Sequence, residues 1–186
     1  MGPRERYREQ VRDEVKQHAW EQIATAGVTA LSLNAIAKQM GMSGPALYRY
    51  FASRDDLITA LIRDAYRSLA DTTRAAYDGG ADLVGVAGAI REWALVDPHR
   101  YLLIYGTPVP GYQAPADTTA ISDEVMTVLV EAAGDPATAV HRGLLFWTRL
   151  HGVLSLELAG HFAGMSLDPA ALVTEEIGAL AVRTGG

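Results

Sequence analysis

Residues 31–57 constrain this chain more than any other stretch, because they carry three helix starts and a glycine turn in register. Ser32 is placed to cap a helix whose apolar positions, Leu33, Ile36, Ala37 and Met40, share one face. Ala37 is small enough for a second helix to cross closely. Gly41 suits the left-handed conformation that ends a helix and reverses the chain, and Met42 packs inward across that turn. Ser43 is expected to cap the next helix, with Pro45 tolerated in its first turn. Leu47 and Phe51 are its core residues, which leaves Gly44, Ala46, Tyr48, Arg49 and Tyr50 on its ends and outer faces. Ser53-Arg-Asp-Asp56 reads as a capping box that opens a third helix. Arg54 stands in the first turn of that helix, where the dipole disfavours a cation and a phosphate would offset the cost.

Two short helices across a tight turn are the means by which a recognition helix is presented to the DNA major groove. Small residues at the start of the second helix allow approach to base edges, and the hydroxyls and cations around them suit phosphates. An ordinary helical corner shares the Ala-x-x-x-Gly spacing but does not need this succession of caps.

The net charge of −6 argues against DNA binding until its distribution is considered. Residues 1–67 hold ten basic and eight acidic side chains, whereas residues 68–186 hold six and fourteen. The cations therefore gather where phosphate contacts are expected. With 49% hydrophobic and 20% charged residues the chain is globular rather than disordered. The absence of cysteine excludes disulfides and thiolate metal sites. A charged N-terminus without an apolar signal region, and a longest apolar stretch (143–160) broken by Arg149, His151 and Glu157, predict a cytoplasmic protein with no membrane span.

Helical spacing runs through the whole chain, and no strand-like alternation interrupts it, so the predicted fold is all-α with about nine helices. Residues 5–26 form an amphipathic helix with Val11, Val15, Ala19, Ile23 and Ala26 on one face. Its Arg4, Arg6, Arg8 and Arg12 are within reach of a phosphate backbone, or are solvated charges mixed with Glu5, Glu9 and Asp13. The helix from Ser53 runs to about Tyr77, with Leu57, Leu61, Ala65 and Leu69 along one edge. Asp97-Pro98, Asp135-Pro136 and Asp168-Pro169 each mark a helix start, because Asp caps and Pro is favoured at the first helical position. Helices near 83–96, 98–105, 118–133, 136–162 and 169–183 follow, with a rigid loop over 106–115. The 136–162 helix carries one apolar stripe of Val140, Leu144, Trp147, His151, Leu154 and Leu158. A second comprises Phe146, Leu150 and Val153. Two stripes suggest one face toward the protomer core and one toward a partner, with the 169–183 helix beside it.

These residues resemble the tetracycline-repressor-type (TetR) regulators. The likeness covers about residues 8–65, through Leu31-Ser-Leu-Asn-Ala-Ile-Ala37, Gly41-Met-Ser43 and Ala46-Leu-Tyr-Arg-Tyr-Phe51 with Arg54. Further on, Trp147-Thr-Arg-Leu-His-Gly152 and Leu156-Glu-Leu158 resemble the Trp/His/Gly-marked regulatory domain of some members. The resemblance implies a helix-turn-helix DNA-binding domain over 1–52 and a helical effector-binding and dimerisation domain over 53–186. It also implies a homodimer, joined through the 136–162 and 169–183 helices, that represses from a near-palindromic double-stranded operator until a small molecule releases it. An activator, or a dimeric scaffold without an effector, is the alternative. Carried over by position, the DNA-contacting set is Ser32, Asn34, Ser43, Gly44, Ala46, Tyr48, Arg49, Tyr50 and Arg54. Tyr48 and Arg54 hold phosphates, and Gly44, Ala46 and Arg49 lie nearest to base edges. Asn34 stands where such regulators often have a basic residue, and Arg54 where Lys is usual.

A ligand pocket is expected between the helix from 53 and the C-terminal bundle. Its candidates are Tyr66, Trp93, Tyr101, Tyr105, Tyr112, Phe146, Trp147 and His151. Acids are sparse among them, which favours a neutral, aromatic or lipophilic effector. No cofactor or metal is expected. His141, His151 and His161 recur every ten residues, a spacing that turns each about 80° from the last on an ideal helix. Glu157 and His161 make a lone helical pair. Without a phosphate loop or a nucleophile elbow, the chain is not read as an enzyme.

Overall fold

The computed structural model describes residues 2–134 and 136–182. Among them are nine α-helices and no strand. The helices are α1 (Pro3–Ala26), α2 (Leu33–Gln39), α3 (Gly44–Leu47), α4 (Arg54–Asp78), α5 (Leu83–Val96), α6 (Pro98–Tyr105), α7 (Ala116–Ala133), α8 (Ala139–Leu158) and α9 (Pro169–Val182). A 3-10 turn, Val28–Ala30, lies between α1 and α2.

Two apolar cores are present, and α4 belongs to both. In the first, Val15 and Ala19 of α1, Ile36 of α2, Leu47 of α3 and Phe51 meet Leu57, Ile58 and Leu61 of α4, all fully buried. In the second, Leu69 of α4 meets Ile90 of α5, Tyr101 of α6, Leu129 of α7, Phe146 and Leu150 of α8 and Ile177 of α9. The edge of Leu57, Leu61, Ala65 and Leu69 is buried along its whole length. With 25 residues, α4 spans roughly 37 Å and carries rigid backbone from one core to the other. Truncating any of these leucines to Ala would cost about 2–5 kcal/mol.

The helix ends follow local chemistry. Gly41 takes φ +66°, and the amides of Gly41 and Met42 bond back to the carbonyls of Lys38 (3.2 Å) and Ala37 (2.8 Å), which satisfies the end of α2. Asp97 caps α6 by accepting from the Arg100 amide at 3.3 Å, while its own amide closes α5 on Trp93. Asp168 accepts from the Ala170 amide at 2.9 Å at the start of α9.

Several predicted boundaries move. The helix expected over 136–162 begins at Ala139, because Pro136–Thr138 form a turn, and Asp135 lies outside the described residues. It ends at Leu158, where Gly160 takes φ +76° and the His161 amide bonds back to Leu156 at 2.9 Å. The helix predicted from 118 begins at Ala116, and residue 183 of the last one lies outside the described residues. Ala26 is exposed rather than on the buried face of α1.

The loop over 106–115 folds back toward the first core. Val109 is buried there, and the Tyr112 hydroxyl lies 2.9 Å from Thr59 Oγ1 on α4. Gly106 permits the tight exit from α6, since a Cβ at that position would stand 2.4 Å from the Leu102 carbonyl.

Candidate nucleic-acid interface and ligand cleft

The recognition unit is assembled by packing beneath and by caps at each corner. Leu33, Ile36 and Ala37 of α2 and Leu47 of α3 are buried, so the opposite faces of both helices turn outward. Ser32 Oγ accepts from the Ala35 amide at 3.3 Å, and the Ser32 amide donates to Gln22 Oε1 at 3.0 Å, which ties α2 to α1. Ser53 Oγ accepts from the Asp56 amide at 3.0 Å, and Asp56 reaches back to the Ala52 amide at 3.0 Å. The capping box is therefore present, displaced by one residue at its return bond.

Ser43 is the exception. Its backbone is extended and its carbonyl accepts the first helical bonds of α3, but its hydroxyl makes no capping bond. The predicted Ser43 cap is thus corrected to an exposed hydroxyl at the entrance of α3.

Asn34, Ser43, Tyr48 and Arg49 are exposed, whereas Ser32, Gly44, Ala46, Tyr50 and Arg54 are half-buried. Tyr48 keeps 45% of its surface exposed although it is a large aromatic. Asn34 and Gly44 mark the closest approach of α2 and α3, since a Cβ on Gly44 would stand 3.2 Å from Asn34 Oδ1. Lys38, in the last turn of α2, is exposed beside the same turn. Sequence reasoning passed over Lys38, although it is one of only two lysines in the chain.

Arg54 has a role that its position at a helix start does not reveal. Its Nη2 donates to the Val28 carbonyl at 2.7 Å and its Nε to the Leu31 carbonyl at 3.3 Å, while Nη1 lies 3.8 Å from Asp55. The guanidinium thereby ties the 3-10 turn before α2 to the first turn of α4. Arg8 and Arg12 likewise turn toward protein: Arg8 Nη2 donates to the Arg49 carbonyl at 3.4 Å, and Arg12 Nη1 donates to the Tyr50 carbonyl. The Arg12 guanidinium also lies over the Phe51 ring, 4.1 Å from its centroid. Lys16 bridges Asp13 and Asp64, each at 2.8 Å. Partial burial lowers its pKa, but the hydrogen bonds it donates to Asp13 and Asp64, with their charges, outweigh that and raise it.

Five of the eight predicted effector residues meet in one aromatic cluster. Tyr105 lies at its centre, with ring centroids 5.9 Å from Tyr66, 5.3 Å from Tyr101, 5.1 Å from Trp147 and 5.2 Å from His151. Trp147 and His151, one turn apart on α8, are stacked with centroids 5.9 Å apart. Burial raises the Tyr66, Tyr101 and Tyr105 hydroxyl pKa values, strongly for Tyr105, and lowers that of His151.

Two clefts flank Tyr66. One, of about 350 Å³, lies between α4, α6, the 106–115 loop and α7, and its lining includes Ile62, Leu103, Val109, Tyr112, Thr118 and Ser122. The other, of about 210 Å³, runs past Tyr66, Tyr105 and Trp147 to Val125, Met126 and Asp123. The larger has the size of a small-molecule site and carries hydroxyls but no charged side chain in its lining. Of the predicted effector residues, Tyr101, His151, Phe146 and Trp93 line neither of these two clefts. Phe146 is fully buried in the second core, and Trp93 Nε1 donates to Ser68 Oγ at 3.0 Å beside a separate surface groove with Glu92 and Arg100.

The helical Glu157–His161 pair is also corrected. Glu157 accepts a bidentate contact from Arg91 of α5, at 2.9 and 2.5 Å, and His161 lies beyond the end of α8. The stripe of Val140, Leu144, Trp147, His151, Leu154 and Leu158 is likewise divided. Val140 and Leu144 face outward, Trp147 and His151 join the aromatic cluster, and Leu154 is buried.

Residues 17–61 match the family model of bacterial regulatory proteins of the tetR family, and residues 83–180 match the tetracyclin repressor-like C-terminal domain. The HTH-type transcriptional regulator Rv1816 of Mycobacterium tuberculosis is 34% identical over 91% of this chain and 90% of its own length. Its Mycobacterium bovis counterpart, Mb1846, matches to the same extent. Among solved structures, the candidate regulatory protein SCO4313 is 60% identical, with a TM-score of 0.92 over 96% of this chain and 98% of that one. A TetR variant from Acinetobacter baumannii, solved with minocycline, shares the fold at 19% identity and a TM-score of 0.58, over 90% of this chain and 92% of its own.

Proposed function

The chain belongs to the tetR family of bacterial transcriptional regulators, and from that premise we propose that it is a ligand-responsive repressor. It binds a near-palindromic operator as a homodimer and leaves it when a small molecule occupies the cleft beside Tyr66. The observation that carries this reading is the course of α4. Its first two turns, with Leu57, Ile58 and Leu61, lie in the core beneath the recognition unit, while Ile62 and Tyr66 wall the cleft. A ligand that tilts α4 thus also tilts α3, and only about 1.4 kcal/mol of coupling releases DNA tenfold.

On DNA, Ser43, Tyr48 and the added Lys38 serve phosphates, and Gly44, Ala46 and Arg49 face base edges, with Ser32, Asn34 and Tyr50 at the margins. Arg54, which holds Val28 and Leu31 while a third of its side chain stays exposed, adds a phosphate contact. The effector is neutral, aromatic or lipophilic, consistent with the uncharged lining of the larger cleft. Dimerisation uses the outer faces of α8 and α9. Val140 and Leu144, one turn apart on the same face of α8, are 61% and 49% exposed and offer apolar surface to a partner. A two-fold pair so formed sets its recognition helices roughly 34–36 Å apart, one turn of DNA. The protein works in the cytoplasm, where that DNA is accessible.

The experiment is selection of genomic duplexes by the purified protein at near-physiological salt, followed by sequencing. An enriched palindrome supports the reading and names the operator. Folded protein that enriches nothing above random duplex refutes it.

A further inference from the structure

The recognition helix is too short to hold its own direction. Only four residues, Gly44–Leu47, are α-helical, and Tyr48–Tyr50 continue as turns. A single helical turn has little stability in water, so its orientation must come from its neighbours. Leu47 anchors it from below and α2 packs beside its start, which leaves its C-terminal end to be set from elsewhere.

The C-terminal end is held from α1. Arg8 and Arg12, one turn apart, donate to the successive carbonyls of Arg49 and Tyr50. Helix ends carry negative partial charge on their carbonyls, so two guanidiniums there are favourably placed. Arg12 is further locked by lying flat over Phe51, whose ring is fully buried in the same core as Val11 and Val15 of α1. Its planar fork and its stacking are properties that a lysine ammonium does not share.

We infer that Arg12, assisted by Arg8, is a positioning residue for operator recognition: it sets the angle of the reading helix from α1 and does not act as a phosphate ligand. The inference rests on the DNA-binding reading above. It predicts that α1 influences sequence specificity although α1 itself reads no base.

The test compares wild type, Arg12→Ala and Arg12→Lys on the selected operator and on a random duplex across a salt series. Loss of the Arg12 contact selectively weakens operator binding, by about tenfold for Arg12→Ala, with random-duplex affinity and the salt slope unchanged. Arg12→Lys keeps the charge but recovers only part of the specificity. A phosphate ligand behaves otherwise: both duplexes weaken together, the slope falls by about 0.9, and Lys rescues. Loss shared by both duplexes, or no loss on the operator, overturns the inference. If Arg12→Ala does not fold by circular dichroism, the same criterion is applied to Arg12→Lys and Arg8→Ala. Failure of wild type to select any operator refutes the proposed function instead, and so remains distinguishable.

Discussion

The Tyr101 hydroxyl lies 2.6 Å from Nδ1 of His151, joining α6 to α8 inside the second core, with Ser155 Oγ 3.3 Å from the same hydroxyl. The rings around His151 are Tyr101, Tyr105 and Trp147, none of which offers an opposite charge. Desolvation therefore lowers its pKa from 6.5.

That shift makes stability pH-dependent with a definite sign. Between the lowered folded pKa and 6.5 the unfolded chain binds more protons than the native one, so stability is complete above about 6.5 and declines as pH falls below it. Thermal melting from pH 8 to 5 should show the decline, and His151→Gln should flatten it. An equal decline in the variant assigns the effect elsewhere.

Arg54 joins the 3-10 turn to α4 and is proposed to hold a phosphate as well, so its removal has two separable effects. Arg54→Ala should lose about 1–2 kcal/mol in urea unfolding, because two backbone carbonyls lose a charged donor while the site remains partly solvated. It should also reduce the salt slope of operator binding by about 0.9. Unchanged stability contradicts the tie, and an unchanged slope contradicts the phosphate contact. Tyr48→Phe, with no structural bond to lose, should weaken operator and random duplex alike.

The outer face of α8 gives a test of assembly. Val140→Asp or Leu144→Asp places a charge where a two-fold partner would bury apolar surface, yet each side chain is half exposed or more in the protomer. Sedimentation should show a monomer with native helical content and operator affinity reduced more than tenfold. A dimer that persists in both variants excludes this face.

Tyr112 links the 106–115 loop to α4 through Thr59, which is only 7% exposed. Tyr112→Phe leaves that buried hydroxyl without its partner and should cost about 1 kcal/mol in urea unfolding. Since Tyr112 also lines the larger cleft, hydrogen exchange should quicken in the loop before it does in α8 or α9. Uniform exchange rates would show that the loop is held by Val109 instead.

Local chemistry made much of this protein legible in its sequence. α5 and α6 fall on their predicted residues because Asp97-Pro98 both ends one helix and starts the next. The Gly41 turn is legible because its left-handed backbone favours glycine over any other residue. Errors arose where a local signal competed with another. Pro136 lies in a turn before α8 rather than at its start, and Gly160 stopped that helix before its apolar pattern ran out.

What the sequence by itself determined is the order of helices, their caps and the apolar faces that demand burial, since these depend on residues within a turn or two. The tertiary structure decided where the long polar side chains end. Arg12 reaches Tyr50 across 38 positions, Arg54 reaches Val28 across 26, and Tyr101 meets His151 across 50. An arginine reads the same in sequence whether its guanidinium meets a phosphate or a carbonyl. Its partner is chosen only when packing places two distant segments within hydrogen-bonding distance.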